Sequence, residues 1–217
     1  MTVFGETVFD ENETVFDEKW WDERYRSAPA LWSGRPNAQL VAEVADLPGG
    51  TALDAGSGEG GDALWLAGRG WQVTAVDIST VALARAAEQG AELAGRIRWV
   101  HADLTTWQPP AASFDVVTAS FLHLPTADRE PLYARLADAV VPGGTLLLVA
   151  HDPSDLHTGP GGERDPDWFV TAGQLAAALD PARWEVLVAE SRPRSATDHD
   201  GREVRVSDAV LRARRRP

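Results

Sequence analysis

From residue 51 onward the chain alternates short apolar runs with helix-like stretches, and this rhythm restricts its possible folds more than any other feature. Thr51–Ala55, Gln72–Asp77, Ile97–His101, Phe114–Ala119 and Gly144–Ala150 are brief, apolar segments and predict five strands. Between them, Gly61–Arg69, Ser79–Ala94 and Asp128–Val140 have helical spacing, with a short turn around Leu104–Pro110. Strand, helix and strand in that order predict right-handed crossovers and a doubly wound α/β sheet, mostly parallel, with helices on both faces. Two later runs, Trp184–Glu190 and Val204–Arg212, flank a polar stretch containing Asp200 and Gly201. They predict an antiparallel C-terminal hairpin at the sheet edge.

A length of 217 residues fits one such domain better than two separately cored ones. Residues 1–18 carry three near-copies of one unit, beginning at Thr2, Thr7 and Thr14. The unit is too short to stack as a solenoid, so the segment is predicted to be a flexible acidic arm. The domain then runs over 19–217. From Lys19 the pattern turns helical, with Trp20, Trp21, Tyr25, Leu31 and Trp32 forming an aromatic face before the turn at residues 33–37. A second helix, Ala38–Ala45, stops at Leu47-Pro48-Gly49-Gly50.

The formal charge of −13 disfavours a phosphate-backbone partner, so no nucleic acid is expected. Arg212, Arg214, Arg215 and Arg216 read as the solvated end of a last strand. With no cysteine there is neither a disulfide frame nor a thiolate nucleophile. No apolar run approaches the roughly 20 residues of a membrane span, and the acidic start does not read as a secretory signal. The expected address is the cytoplasm, with no membrane attachment. His123, His151 and His157 fall near predicted strand ends but lack a metal-ligand spacing, so no metal is expected.

The segment Asp54-Ala55-Gly56-Ser57-Gly58-Glu59-Gly60-Gly61 lies between the first strand and its helix. Glycines there allow a tight turn and close approach of a ligand to the backbone. Gly56, Gly58 and Gly61 also satisfy a dinucleotide pattern, so glycine alone does not choose the ligand. The acids Asp54, Glu59 and Asp62 would repel a pyrophosphate but attract a net positive ligand such as S-adenosylmethionine. Asp77 ends the second strand, where a carboxylate can accept ribose hydroxyls, and Asp103 follows the third, in reach of an adenine amino group. Ile78 and Leu104 would supply apolar faces for the adenine. Each acid taken singly also fits a helix N-cap; three on successive strand ends beside a glycine loop fit a ligand better.

These motifs, with Ala102-Asp103, Phe114-Asp115-Val116-Val117 and Pro142-Gly143-Gly144, resemble the class I S-adenosylmethionine-dependent methyltransferases over about residues 47–212. The resemblance implies a Rossmann-like fold, methyl transfer with S-adenosylhomocysteine as product, and cofactor contacts from Asp54, Gly56, Ser57, Gly58, Gly60, Asp77, Ile78, Asp103 and Leu104. The front end, Trp20 to Tyr25 with Trp32 to Asn37, is similar to the thiopurine and tellurite-resistance branch, which methylates small soft nucleophiles. That similarity implies a helical cap over the site at 19–47 and places Trp21 and Tyr25 against the cofactor; both equally fit helix-to-sheet packing.

Ligands of open α/β sheets sit beyond the carboxyl ends of the strands. Ser120, Phe121, His123, His151 and Asp152 should therefore face the site, with Ser120 on the cofactor side. His123 is the candidate general base, although a pocket-wall role fits it too. The glycine-bearing loop 153–167 is long enough for a cover. The expected partner is a small-molecule methyl acceptor, and the protein is a monomer or homodimer. Two other readings stay open: a nicotinamide oxidoreductase, for which no Tyr-x-x-x-Lys pair exists because Lys19 is the only lysine, and a non-catalytic S-adenosylmethionine binder.

Overall fold

The computed structural model describes residues 16–156, 165–197 and 202–217. Residues 1–15 of the arm predicted at 1–18, His157, most of the predicted loop cover and the Asp200-Gly201 turn lie outside the described residues. Two short helices come first, α1 (Glu18–Arg26) and α2 (Ala38–Val44). The alternation follows as β1 (Thr51–Ala55), α3 (Gly61–Gly68), β2 (Gln72–Asp77), α4 (Thr80–Gln89), β3 (Ile97–His101), β4 (Phe114–Ser120), α5 (Thr126–Ala139) and β5 (Val140–His151). A short helix α6 (Ala172–Ala177), which the sequence reading did not predict, leads to the hairpin β6 (Trp184–Thr197) and β7 (Glu203–Arg215).

The seven strands lie in the order β3-β2-β1-β4-β5-β7-β6. The first five are mutually parallel, and β7 runs antiparallel to both β5 and β6. The chain reverses direction of growth between β1 and β4, so the carboxyl ends of those two strands flank the crevice in which open α/β sheets bind ligands. Each face of the sheet is buried under its own apolar cluster. Leu53, Val117, Leu136, Leu146 and Leu211 belong to one; Leu40, Leu66, Trp71, Val116 and Leu147 belong to the other. No described helix is long and apolar enough to cross a membrane.

The hairpin is longer than predicted. β6 runs on through Pro193 to Thr197, because an edge strand loses no second partner when proline removes an N–H. Its polar residues are matched across the sheet edge: Arg192 pairs with Glu43 of α2 at 2.6 Å, and Arg194 with Asp208 of β7 at 2.8 Å. The terminal arginines are likewise engaged rather than simply solvated. Arg212 meets Glu43, Arg214 meets Glu185, and Arg215 donates to the carbonyl of Val140.

β5 also starts earlier than predicted, at Val140, which pairs with Phe114 before the register shifts to Val116 and Thr145. The irregular stretch brings Gly144 against its neighbours. A Cβ there would lie 2.7 Å from Val140 Cγ1 and 2.9 Å from the Asp115 carbonyl oxygen. Gly144→Ala is therefore expected to destabilise the fold by about 1–3 kcal/mol through overpacking. Gly68→Ala, at the end of α3 with no atom within 4 Å of the new Cβ, is expected to stabilise it by about 0.5 kcal/mol. Urea denaturation of the two variants checks the opposite signs.

Candidate functional site

The turn after β1 is closed by its own backbone. The N–H groups of Gly56 and Ser57 both donate to the Val76 carbonyl, at 2.8 and 3.0 Å, and Gly60 N–H donates to Ser57 at 2.9 Å. Gly58 N–H donates to Asp77 Oδ2 at 2.7 Å. Four amides that would form an anion-binding nest are thus already used, which leaves little for a pyrophosphate. Gly58 has φ +51°, and a Cβ there would meet Tyr25 Oη at 2.9 Å, so both conformation and contact require glycine.

Three buried carboxylates surround this turn: Asp54 on β1, Asp62 in the first turn of α3 and Asp77 at the end of β2. Burial, and then the charges of Asp62 and Asp77, push the Asp54 carboxyl well above the usual carboxylate range. Burial also raises Asp62, against hydrogen bonds from Asn37 N–H and Ser120 Oγ, and raises Asp77, against the N–H groups of Ser79 and Gly58. Asp54 Oδ2 and Ser57 Oγ are buried without a hydrogen-bond partner among the described residues. Like charges gathered in a low-dielectric site with an unmatched oxygen suit a cationic ligand.

The structure places the other cofactor candidates along the neighbouring strand ends. Asp103 is exposed after β3, and its Oδ1 accepts from Thr105 N–H at 2.8 Å and Thr105 Oγ1 at 2.7 Å. Ile78 is half-buried and its carbonyl contacts His101 Nε2 at 3.0 Å. Leu104 is buried beneath Gly56. Ser120 Oγ donates to Asp62 at 3.2 Å, which brings the end of β4 to the carboxylate group.

Glu59, which the sequence places among the acids of the loop, is taken up by protein partners. It accepts the N–H groups of Leu31 and Trp32, both at 3.0 Å, and pairs with Arg85 at 2.9 Å. Asp62 accepts Asn37 N–H at 2.6 Å, and Asp22 of α1 accepts from Ser79 Oγ, Thr80 Oγ1 and Val81 N–H at the start of α4. Carboxylates therefore clamp residues 22–37 over the turn. Tyr25 is buried there and accepts from Trp32 Nε1 at 3.1 Å; burial and the Asp77 charge raise its phenol.

Beyond β4 and β5 lies a platform of rings. Trp21 stands 6.0 Å from Tyr25 and 5.9 Å from His123, centroid to centroid. His123 is 5.4 Å from His151 and 5.8 Å from Trp168. His151 stacks on Phe121 at 4.8 Å and meets Phe169 at 5.9 Å. Phe121 has φ +54°, a conformation costing a bulky residue about 1–3 kcal/mol, and strain of this kind collects at binding sites. Asp152, whose place before a loop equally fits a cap in the sequence, caps the short turn that follows β5, through Ser154 N–H at 3.0 Å. Trp168 and Phe169 were missed by sequence reasoning, because they stand in segments without strand or helix periodicity.

Residues 52–144 match the family model described as a methyltransferase domain. The chain carries a class I S-adenosylmethionine-dependent methyltransferase domain. A trans-aconitate 2-methyltransferase of Rhizobium meliloti is 36% identical over 124 residues, covering 56% of this chain and 46% of that protein. A probable thiol methyltransferase 2 of Arabidopsis thaliana is 27% identical over 174 residues, covering 77% and 74%. The chain spans about half the length of the first curated relatives it matches, 57% of those at 40% identity. A solved structure from work on "Conversion of a Disulfide Bond into a Thioacetal Group during Echinomycin Biosynthesis" superposes with TM-score 0.71 at 24% identity, covering 92% of this chain and 91% of that one. Its likeness shows the methyltransferase fold.

The carboxylate group gives the domain an opposed pair of responses. A raised folded-state carboxyl contributes stability at low pH that is lost as pH climbs from the ordinary carboxylate range, about 4, through the raised values. Asp54→Asn is expected to raise the melting temperature of the ligand-free protein at pH 7 and to weaken S-adenosylmethionine binding about tenfold. Thermal melts and calorimetric titrations of the variant check both signs.

Proposed function

We propose that this protein transfers the methyl group of S-adenosylmethionine to a small molecule, with sulfur or another soft atom as the acceptor. The observation that carries the cofactor assignment is the buried, partly unmatched carboxylate group of Asp54, Asp62 and Asp77 at a turn whose amides are already used. When bound, the cofactor supplies a methyl on a positively charged sulfur. Asp54 with Gly56, Ser57, Gly58 and Gly60 would hold its methionine end, Asp77 its ribose, and Asp103, Ile78 and Leu104 its adenine. Residues 19–47 act as a cap, in which Trp21 and Tyr25 exclude water from the reacting atoms.

The acceptor would lie against the platform of Trp21, His123, His151 and Trp168. An attack on an activated methyl depends mainly on positioning, and a thiolate brings its own lone pair. His123 then orients the acceptor without taking a proton. The thiol methyltransferase relative, matched over most of this chain, supports a sulfur acceptor, as does the sulfur chemistry named for the neighbouring fold. Such an acceptor is diffusible and suits a cytoplasmic enzyme working on metabolites.

Titration should show S-adenosylmethionine and S-adenosylhomocysteine binding at least tenfold tighter than NAD; equal or tighter NAD binding would overturn the cofactor assignment. With a thiol acceptor, His123→Ala is expected to lower turnover about tenfold or less and to keep the shape of the pH profile. A loss of about 10²- to 10⁴-fold, with disappearance of a step in that profile, would assign His123 as a general base and reject the soft acceptor.

A further inference from the structure

We propose that Arg194 binds a carboxylate on the methyl acceptor through the Nη edge of its guanidinium, at the rim of the ring platform. The proposal rests on the small-molecule methyltransferase reading above and specifies the class of acceptor: a flat molecule bearing an acidic group.

Arg194 is fixed at one end only. Its Nε donates to both oxygens of Asp208, at 2.8 and 3.1 Å, and Asp208 is only 1% exposed and also accepts from Gln39 Nε2 at 3.1 Å. Asp208 sits opposite His151 in the β5–β7 register, so the anchor is built into the strand that borders the platform. The guanidinium carbon lies 5.4 Å from the centroid of Phe121, the ring that stacks on His151. Its side chain is 35% exposed, within reach of solvent and of a small solute.

An arginine serving only to pin the hairpin would be expected to commit an Nη group as well as its Nε. Arg214 spends one edge of its fork, giving Nε and Nη2 to Glu185, and Arg192 gives Nε to Glu190 and Nη1 to Glu43, so each commits at least one Nη. Arg194 departs from both: its Nη1 and Nη2 donate to nothing among the described residues. Those two groups form the planar pair that matches a carboxylate with two parallel hydrogen bonds. Asp155 feels the Arg194 charge, but it accepts the N–H of Ser207 at 2.6 Å and makes no bond to the guanidinium. Phe121 lies against both His151 and the guanidinium and so holds the cation beside the ring platform. The platform rings Trp21, His123 and Trp168 together with the guanidinium suit an aryl or otherwise planar acid.

The test uses the whole chain loaded with S-adenosylhomocysteine and a matched pair of probes, 4-mercaptobenzoate and thiophenol, titrated calorimetrically. The wild type should bind the carboxylate probe at least tenfold tighter, and the ratio should fall to near one in Arg194→Gln. Arg194→Lys keeps the charge and the link to Asp208 but lacks the fork, and it should lose most of the same ratio. Melting temperature and S-adenosylhomocysteine affinity are measured for both variants; if Arg194→Gln fails to fold, Arg194→Lys carries the test. Equal affinity for the two probes in the wild type, binding of neither, or a ratio that survives both substitutions would overturn the proposal. Selective binding of 4-mercaptobenzoate without methyl transfer to its sulfur would reject the sulfur acceptor while leaving the Arg194 subsite in place.

Discussion

Three carboxylates of one charge, buried around a single glycine turn, are the constraint to which the rest of this structure answers. Their mutual repulsion and lost hydration cannot be relieved by the apolar sheet on either side. Nearby donors offset part of the cost: Gly58 and Ser79 at Asp77, Asn37 and Ser120 at Asp62. Each of these bonds fixes a different element to the turn, so the same charges that strain the ligand-free protein also set the positions of β4, α4 and the segment before α2. Asp54 Oδ2 keeps no such partner among the described residues.

The fourth acid of the region works in another way. Glu59 is neutralised by Arg85 and takes two backbone amides of residues 31 and 32, which belong to no helix or strand. An irregular segment is thereby satisfied by side chains rather than by a ladder, as buried or half-buried backbone must be. Trp32, 52% exposed, then closes over Tyr25. The cap is held mainly by charge-assisted hydrogen bonds, while the sheet beneath it is held by apolar packing.

The parallel strands were legible in the sequence because β1, β2, β4 and β5 are mostly buried and read as short apolar runs; β1, β2 and the edge strand β3 begin and end at the predicted residues. Asp54 and Asp77 were legible as acids at strand ends, though not as partners that raise one another. Edge structure was less visible. The polar second half of β6 has no apolar alternation, and only its pairing with β7 and the partners of Arg192 and Arg194 make it a strand. The partners of Glu59 were not legible, because they lie 26 to 28 residues away. Likewise no local pattern announces that Phe121 adopts a left-handed backbone or that Trp168 meets His123.

The groups proposed for the two ligands sit on different kinds of support. The carboxylates lie on β1, β2 and the first turn of α3, where a change would disturb the central sheet. Most rings of the platform, His123, Trp168 and Phe169 among them, stand on short connecting segments, and Arg194 on an edge strand. Substitution at those positions perturbs few core contacts. An ancestral gene could therefore drift from one acceptor to another by altering its periphery, inheriting the methyl donor site unchanged.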